Sequence, residues 1–329
     1  MSYLFHLAPV RLVSLLPSAT EMVHSLGLTA ALVGRSHECD YPPAVRHLPV
    51  CTAPKFDPSG DSLTVHHRVM DILGNALSVY QLNIKQLQTL QPTHILTQAQ
   101  CEVCAVSLRD VEQAAAACLT PAPQIISLQP QTLAQVWQDL MQVGHRLGVE
   151  ATPIVNRLQQ RVSQIQQATR GLTRPRVLCI EWLNPLMSAG NWVPELVELA
   201  GGQPLLAQTG QHSPWLNWAQ IAAANPDVIV LMPCGYDLQR TINEWQTSAH
   251  PWHTLPAVTE GRIYATDGNA YFNRPGPRLV DSLEILAEIL HPELDFGHRG
   301  NAWCHLGFQH LPQPPFQLLA APPESIHLA

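Results

Sequence analysis

The segment Arg11-Leu-Val-Ser-Leu-Leu-Pro-Ser-Ala-Thr-Glu21 decides the fold class, because it leads from a buried strand directly into a helix. The short apolar run Arg11–Leu16 is typical of a strand buried in a parallel sheet. The spacing of Ser18 and Glu21 predicts a capping box at the start of a helix that ends near Gly27. We therefore expect a strand–helix unit of an α/β layer here.

The same alternation of short apolar runs and helical stretches continues along the chain. Further strands are predicted at Ala31–Gly34, His94–Thr97, Gln124–Leu128, Arg176–Trp182, Asp227–Met232 and Arg262–Thr266. Further helices are predicted at Ser62–Tyr80, Thr132–Gly148, Thr152–Arg170, Val193–Ala200 and Pro277–Leu290. This order predicts an α/β fold with two lobes of mainly parallel sheet flanked by helices, joined by one long rigid helix.

The pattern also divides the chain into domains. It predicts an N-terminal α/β lobe over residues 10–130, a linking helix over 131–148 and a C-terminal α/β lobe over 149–292. Residues 293–329 contain proline and histidine without a periodic pattern, so we expect a flexible tail there.

Composition narrows the classes of function. Of the 329 residues 46% are hydrophobic and only 13% charged, which allows a large core and excludes bulk disorder. The net charge is −7 and Lys55 and Lys85 are the two lysines, so no basic run exists to bind nucleic acid. The sequence contains neither a membrane-spanning apolar segment nor a recognisable signal peptide. We therefore expect a cytoplasmic protein, or a periplasmic one if the true start lies upstream.

The order of several motifs is similar to that of a known family. The opening segment, followed by Asp40-Tyr-Pro-Pro43, resembles the periplasmic cobalamin- and siderophore-binding proteins of ABC importers, the class III periplasmic binding proteins. Matches continue at Gln91–Leu96, Asn184–Gly190, Glu198–Gly202, Ser213–Trp215, Asn225–Val230 and Asp267–Arg278. The resemblance implies a ligand clamped in a cleft between two lobes. Within this family, the sequence most resembles a cobalamin-binding branch without a signal peptide. This resemblance rests on the segments 36–42, 101–104 and 267–272.

The sequence departs from this family at the positions that contact the membrane permease. The resemblance places Lys85 and Ala219 where an acidic residue on each lobe docks on permease arginines. These residues remove both charge-assisted contacts, so docking to an ABC permease is not expected. Ala53 and Gln98 also stand at positions of cleft tryptophans, whereas Trp215 is retained.

The candidate ligand-binding residues combine aromatic and polar side chains in predicted loops at strand ends. They are His37, Glu38, Trp182, Trp192, Trp215, Asp267, Tyr271 and Arg274. Flat aromatic faces suit a corrin or another tetrapyrrole, and polar groups suit its amide or carboxylate rim. The alternative for each tryptophan is a packing role in the core.

A second candidate site is based on thiols. Cys101 and Cys104 precede a predicted helix N-cap at Ser107, where thiolates are stabilised. Together with His37 and Cys39 they would supply four ligands for zinc or iron. Cys234 ends a strand of the other lobe and would extend this site across the cleft. The alternatives are a redox pair or small buried side chains.

These observations lead to one principal hypothesis and two alternatives. The principal hypothesis is a non-enzymatic binding protein that holds a cobalamin-like corrinoid or another metal chelate as a small-molecule ligand. The first alternative is a metal-binding or thiol-redox enzyme centred on Cys101 and Cys104 with His37 and Cys39. The second is an importer subunit that lacks its signal peptide.

Overall fold

The N-terminal lobe is built on a four-stranded parallel sheet. The computed structural model describes residues 9–75, 78–99 and 106–307. The sheet order is β2 (Leu32–Arg35), β1 (Leu12–Ser14), β5 (His94–Gln98) and β6 (Gln124–Leu128). Its helices are α1 (Pro17–Ser25), α3 (Ile84–Leu90) and α4 (Leu108–Cys118). The central strands carry buried apolar side chains, because helices cover both faces of a parallel sheet.

The first helix starts differently from the prediction. Its N-cap is Leu16, which makes no side-chain capping bond, and Pro17 occupies the first turn. Because Ser18 then lies inside the helix, it cannot be the N-cap residue, and the predicted capping box is wrong. Glu21 is buried and faces the other lobe instead of the helix terminus.

The chain between β2 and β5 contains a pair of short antiparallel strands that the sequence did not predict. Strand β3 (Thr52–Pro54) pairs with β4 (Tyr80–Leu82), and α2 (Ser62–Gly74) lies between them. The predicted helix Ser62–Tyr80 therefore ends at Gly74. Strands of three residues have too few positions to display an alternating pattern.

The C-terminal lobe is built on a larger, mainly parallel sheet. The sheet order is β12 (Trp303–His305), β11 (Ile263–Thr266), β10 (Val228–Leu231), β7 (Arg176–Leu183) and β8 (Leu186–Ser188), with β9 (Gln203–Pro204) also paired to β7. Its helices are α7 (Val193–Leu199), α8 (Trp218–Ala224), α9 (Leu238–Thr247), α10 (Pro256–Thr259) and α11 (Leu279–Leu290). Pairs β7–β10 and β10–β11 are parallel, whereas β8 and β12 pair antiparallel. The predicted two-lobed α/β class is confirmed.

Two consecutive helices carry the chain from one lobe to the other. Helix α5 (Leu133–Leu147) begins at the N-cap Thr132 and ends before Gly148, whose positive φ of 71° terminates the helix. Helix α6 (Thr152–Ala168) follows directly. Because α5 packs on α1 and α6 packs on α7 and α11, each helix of the pair is attached to a different lobe.

The segment after Pro292 forms part of the C-terminal lobe up to residue 307, so the flexible tail predicted for residues 293–329 begins too early. Strand β12 pairs with β11, and the indole N–H of Trp303 donates to Glu288 Oε2 at 2.6 Å. Trp303 and Leu306 are buried. Residues 308–329 lie outside the described part of the chain.

One buried apolar cluster runs through both lobes. Leu12 and Leu128 of the N-lobe sheet belong to the same cluster as Val177 and Val230 of the C-lobe sheet. Interiors of this kind are close-packed, so a shared core resists relative movement of the two sheets. Among the described residues, no helix combines the length and apolar character needed to cross a membrane.

Candidate functional site

Four charged side chains from both lobes meet at what we call the interlobe charge cluster: Glu21 of α1, Asp40 of the loop after β2, Arg274 of the loop after β11, and Arg278 at the start of α11. Arg274 follows β11 and is only 5% exposed. Its Nη1 lies 2.6 Å from Asp40 Oδ1 and 3.6 Å from Glu21 Oε1. Arg274 Nη2 also donates to Asn269 Oδ1 at 3.1 Å. The guanidinium thus joins a C-lobe loop to two N-lobe elements.

Arg278 supplies the second cation of the interlobe charge cluster. Its Nη1 lies 3.5 Å from Glu21 Oε1. The guanidinium carbon lies 4.2 Å from the ring centre of Tyr41 in the N-lobe and 4.6 Å from that of Tyr271 in the C-lobe. Arg278 also approaches Asp281 one turn further along. It therefore makes cation–π contacts to both lobes.

The pKa values of the two carboxyls in this cluster are shifted in opposite directions. Burial raises the pKa of Glu21 to about 7, more than the nearby Arg278 and Arg274 lower it, and Glu21 Oε2 accepts no hydrogen bond from the described residues. Burial also acts on Asp40, but the hydrogen bond and charge of Arg274 hold the pKa of Asp40 below its usual value. Asp40 is thus the ionised partner, and Glu21 exchanges a proton near neutrality.

His37 and Glu38 lie in the loop after β2, as predicted. His37 Nδ1 lies 2.8 Å from Thr52 Oγ1, and its ring lies 5.2 Å from that of Tyr80. Burial, with a smaller contribution from Arg35, lowers the pKa of His37 to about 4, so the imidazole is neutral. Tyr80 donates to Glu38 Oε1 at 3.3 Å, and burial raises the pKa of Glu38 to about 7.

The predicted metal site is only partly within the described residues. Cys39 is buried, and its sulfur contacts the hydroxyls of Thr20 at 3.0 Å and Ser36 at 3.3 Å. His37 faces Thr52 and Tyr80, so these two predicted ligands have different neighbours. Cys101 and Cys104 lie outside the described residues. Within the described ranges, no three histidine, cysteine or acidic side chains are grouped to hold a metal, and the four-ligand site stays a prediction.

The three candidate tryptophans occupy different environments. Trp192 is 7% exposed and donates its indole N–H to the Phe272 carbonyl at 2.8 Å, a placement that favours the packing role. Trp182 donates to the Asn184 carbonyl, and its half-buried ring contacts Tyr236 edge to face. Trp215 is 54% exposed, the largest fraction among the exposed large hydrophobic side chains described. Of the three, Trp215 therefore has the face available to a ligand.

The remaining candidates surround Arg274 in the C-lobe. Asp267 Oδ1 accepts from the backbone N–H of Ala270 at 2.7 Å, and burial raises the pKa of Asp267. Tyr271 lies against Arg278 and 6.2 Å from the ring of His298. Cys234 follows β10, and its backbone N–H donates to the Glu181 carbonyl. The predicted residues Asp267, Tyr271 and Arg274 therefore lie around one loop.

The inserted segment, residues 55–75, reaches from the N-lobe to helix α9 of the C-lobe. Arg240 Nη2 donates to the carbonyls of Pro58 at 2.7 Å and Gly60 at 3.0 Å. The backbone N–H of Ser62 donates to Glu244 Oε1 at 2.8 Å. This segment therefore spans the two lobes at a second place, remote in sequence from the charge cluster.

The same segment also contacts the exposed tryptophan. The ring of His66 lies 5.4 Å from that of Trp215, edge to face. Trp215 is held in place through its backbone bridge to Met187. His66 of the inserted segment and Trp215 of the C-lobe thus form an aromatic contact between the lobes.

Sequence reasoning missed four of the charged residues that join the lobes. Asp40 and Arg278 were within recognised motifs but were given no role, and Arg240 and Glu244 were not considered. One property of the sequence could have identified them. Charged residues make up only 13% of the chain, so a charged residue close to a predicted strand or helix end, such as Asp40 or Arg278, is a candidate for a specific contact. The partners themselves are more than 180 residues apart in sequence.

Comparisons with known proteins agree with this architecture. The chain is 24% identical over 295 residues to the vitamin B12-binding protein of Photorhabdus laumondii, covering 88% of this chain and 91% of that protein. The structure of the periplasmic vitamin B12 binding protein BtuF of Vibrio cholerae matches with a TM-score of 0.60 and 21% identity, over 85% of this chain and 96% of that one. The periplasmic heme-binding protein RhuT of Roseiflexus matches with a TM-score of 0.65 and 20% identity, over 86% and 98%. Residues 12–270 match the family described as periplasmic binding protein, and this chain belongs to that family.

Proposed function

We propose that this protein binds a flat metal chelate, a cobalamin-like corrinoid or a heme-like tetrapyrrole, in the cleft between its lobes. The observation that carries the proposal is Trp215, which is 54% exposed where the two lobes meet. A large aromatic side chain gains free energy when its face is covered, and a flat ring system covers it well. The names of the relatives, which bind vitamin B12 and heme, support the same ligand class.

The proposal is tested by titration of the purified protein with cyanocobalamin and with hemin, followed by absorbance. We expect saturable binding of at least one of them, and binding weaker by about tenfold or more in Trp215→Ala, since stacking on an aromatic side chain contributes about 1–3 kcal/mol. Met141→Ala removes an exposed hydrophobic side chain on α5 and is the matched control. Absence of saturation with both ligands would contradict the proposal.

We also propose that the protein buffers or delivers its ligand in the cytoplasm instead of importing it. Lys85 on α3 and Ala219 on α8 are exposed at the positions where the resemblance places the acidic permease contacts. A cation and a methyl group cannot form those salt bridges. Cell fractionation followed by detection of the native protein tests the location. Recovery from the periplasm, or co-purification with a permease, would contradict this part of the proposal.

A further inference from the structure

Helix α2 of the inserted segment has one partly apolar face that meets the C-lobe. Leu63, His66 and Met70 are spaced by three and four residues, so their side chains share one face of the helix. Leu63 is 38% and Met70 50% exposed, and the ring of His66 contacts Trp215. Three exposed large hydrophobic side chains, with Trp215 among them, are thus grouped around this contact. Exposed apolar patches of this kind mark binding surfaces.

The imidazole of His66 is free to bind a ligand. Its ring contacts are with His67 at 6.1 Å and Trp215 at 5.4 Å between ring centres. Within the described ranges, neither ring nitrogen of His66 takes part in a hydrogen bond, whereas His37 is bonded to the Thr52 hydroxyl. Burial, with a smaller contribution from His67, lowers the pKa of His66, so the imidazole is neutral and carries a nitrogen lone pair.

The angle between the rings of His66 and Trp215 is close to the one that a coordinated flat chelate requires. An imidazole that binds the metal of a macrocycle stands edge-on to the macrocycle plane. A macrocycle stacked on Trp215 lies parallel to the indole. Imidazole and indole therefore need to be nearly perpendicular, and the observed angle between their planes is 77°.

We infer that His66 coordinates the metal of the chelate, while Trp215 stacks on the opposite face of the macrocycle. The inference rests on the proposed function and adds an axial ligand to it. Neutral imidazole is a preferred ligand of iron and related transition metals. A metal–imidazole bond is about 2 Å long and stacked rings lie about 3.5 Å apart, so the two side chains need to part by only about 1–2 Å beyond their present 5.4 Å.

The attachment of the inserted segment permits this separation. Arg240 and Glu244 of α9 hold the segment through hydrogen bonds to its backbone. Bonds of this kind at a largely exposed loop exchange readily with water. The ion pair of Arg274 and Asp40 lies outside the segment, so α2 can move away from Trp215 while the interlobe charge cluster stays intact.

Hemin and diaquacobinamide test the coordination, because both contain a metal whose axial positions exchange. Absorbance spectra, and electron paramagnetic resonance for hemin, distinguish a metal-bound imidazole from a metal-bound water or hydroxide. We expect an imidazole spectrum for whichever of the two ligands binds the full-length protein.

Substitutions on α2 assign the spectrum to one residue. His66→Phe keeps an aromatic ring next to Trp215 and removes both nitrogens, so the ligand should still bind but the imidazole spectrum should be lost. In His66→Ala, imidazole added to the buffer should restore that spectrum, at concentrations that leave His66→Phe unchanged. His67→Phe is the matched control on the same helix and should keep the native spectrum.

The outcomes separate this inference from the proposed function. Saturable binding with a water or hydroxide spectrum would overturn the inference and leave the proposed function intact. An imidazole spectrum retained in His66→Phe, or lost only in His67→Phe, would also overturn it, because the ligand would then come from another residue. Failure of both hemin and diaquacobinamide to bind would overturn the inference together with the proposed function.

Discussion

The interlobe charge cluster and the inserted segment both connect the N-lobe to the C-lobe, but with different chemistry. In the cluster, Arg274 and Glu21 are buried, at 5% and 1% exposed, whereas the side chain of Asp40 is 39% exposed. In the inserted segment, Arg240 and Glu244 bond to backbone groups of a loop that is largely exposed. Buried ion pairs resist separation, whereas hydrogen bonds to an exposed loop exchange readily with water. The comparison indicates that the contact between the lobes is fixed at the charge cluster. At the inserted segment, the contact between the lobes is the one that opens.

The largest effect is expected for Arg274→Met, which removes the cation between Asp40 and Glu21. Loss of one partner from a buried ion pair typically costs about 3–5 kcal/mol, and because the Asp40 side chain is 39% exposed we expect the lower end of that range. The free energy of unfolding, measured by urea denaturation, should fall by about this amount. Arg109→Met on α4 removes an exposed arginine and should change it by less than about 0.5 kcal/mol. Similar values for the two variants would show that the cluster does not hold the lobes together.

The next largest effect is the dependence of the free energy of unfolding on pH. The pKa of Glu21 is about 7 in the folded protein against 4.5 for an unperturbed glutamate, because burial disfavours its charge. The folded state therefore binds the proton of Glu21 more tightly than the unfolded state does. The resulting contribution to the free energy of unfolding is fully present below about pH 4.5 and is lost as the pH rises to about 7. The loss amounts to about 3 kcal/mol at most, at about 1.4 kcal/mol per pH unit.

Glu21→Gln tests this dependence. In urea denaturation between about pH 5 and 7, the stability of the variant should fall less steeply than that of the native protein. Part of the slope remains, because the pKa of Glu38 is raised to about 7 as well. Glu112→Gln, on the exposed face of α4, should keep the native slope. A slope in Glu21→Gln equal to the native one would mean that Glu21 titrates as an ordinary carboxyl.

A smaller change in stability is expected when the inserted segment is released. Arg240→Ala with Glu244→Ala removes the hydrogen bonds to Pro58, Gly60 and Ser62, which at a largely exposed loop contribute about 0.5 kcal/mol each. Ligand association and dissociation should both accelerate several-fold, measured by stopped-flow tryptophan fluorescence. Gln239→Ala on the same helix is the control. Unchanged rates would show that the ligand enters elsewhere.

The smallest effect is expected within the inserted segment itself. Asp61 is the N-cap of α2, and its Oδ1 accepts from the Thr64 N–H at 2.7 Å. Asp61→Ala should cost about 1 kcal/mol, confined to α2. Faster hydrogen exchange of the first α2 amides, with unchanged exchange in α5, would support local opening. Asp71→Ala on the same helix should leave that exchange unchanged.

The sequence predicted helices α5, α6 and α11 and the strands of the parallel sheets close to their observed ranges, whereas it missed helix α9 and the short antiparallel strands. Strand β6 was predicted over its observed range Gln124–Leu128, because this short run with two isoleucines is bounded by Pro123 and Pro130. Strands β3, β4 and β12 were missed, since three residues display no period and their pairing is fixed by neighbours distant in the chain. Because β12 was not recognised, the predicted flexible tail began at residue 293, too early in the chain.

The candidate site was predictable in part. Arg274 and Trp215 were found through the resemblance, and the structure places both where the lobes meet. Glu21 was misassigned because the Ser-x-x-Glu spacing is the same for a capping box and for a helix that starts earlier, at Pro17. Local spacing carries no information on a partner such as Arg278, which lies 257 positions further along the chain.

Strand β12 has a consequence for solubility. It covers the edge of β11, which without it would present unpaired backbone groups to other molecules. Being only three residues long, β12 offers a poor template for further strand addition, and the exposed His305 ring lies edge-on to Tyr264 beside it. The last described strand thus protects the C-lobe sheet from edge-to-edge aggregation, and a chain shortened to Pro292 would be expected to self-associate.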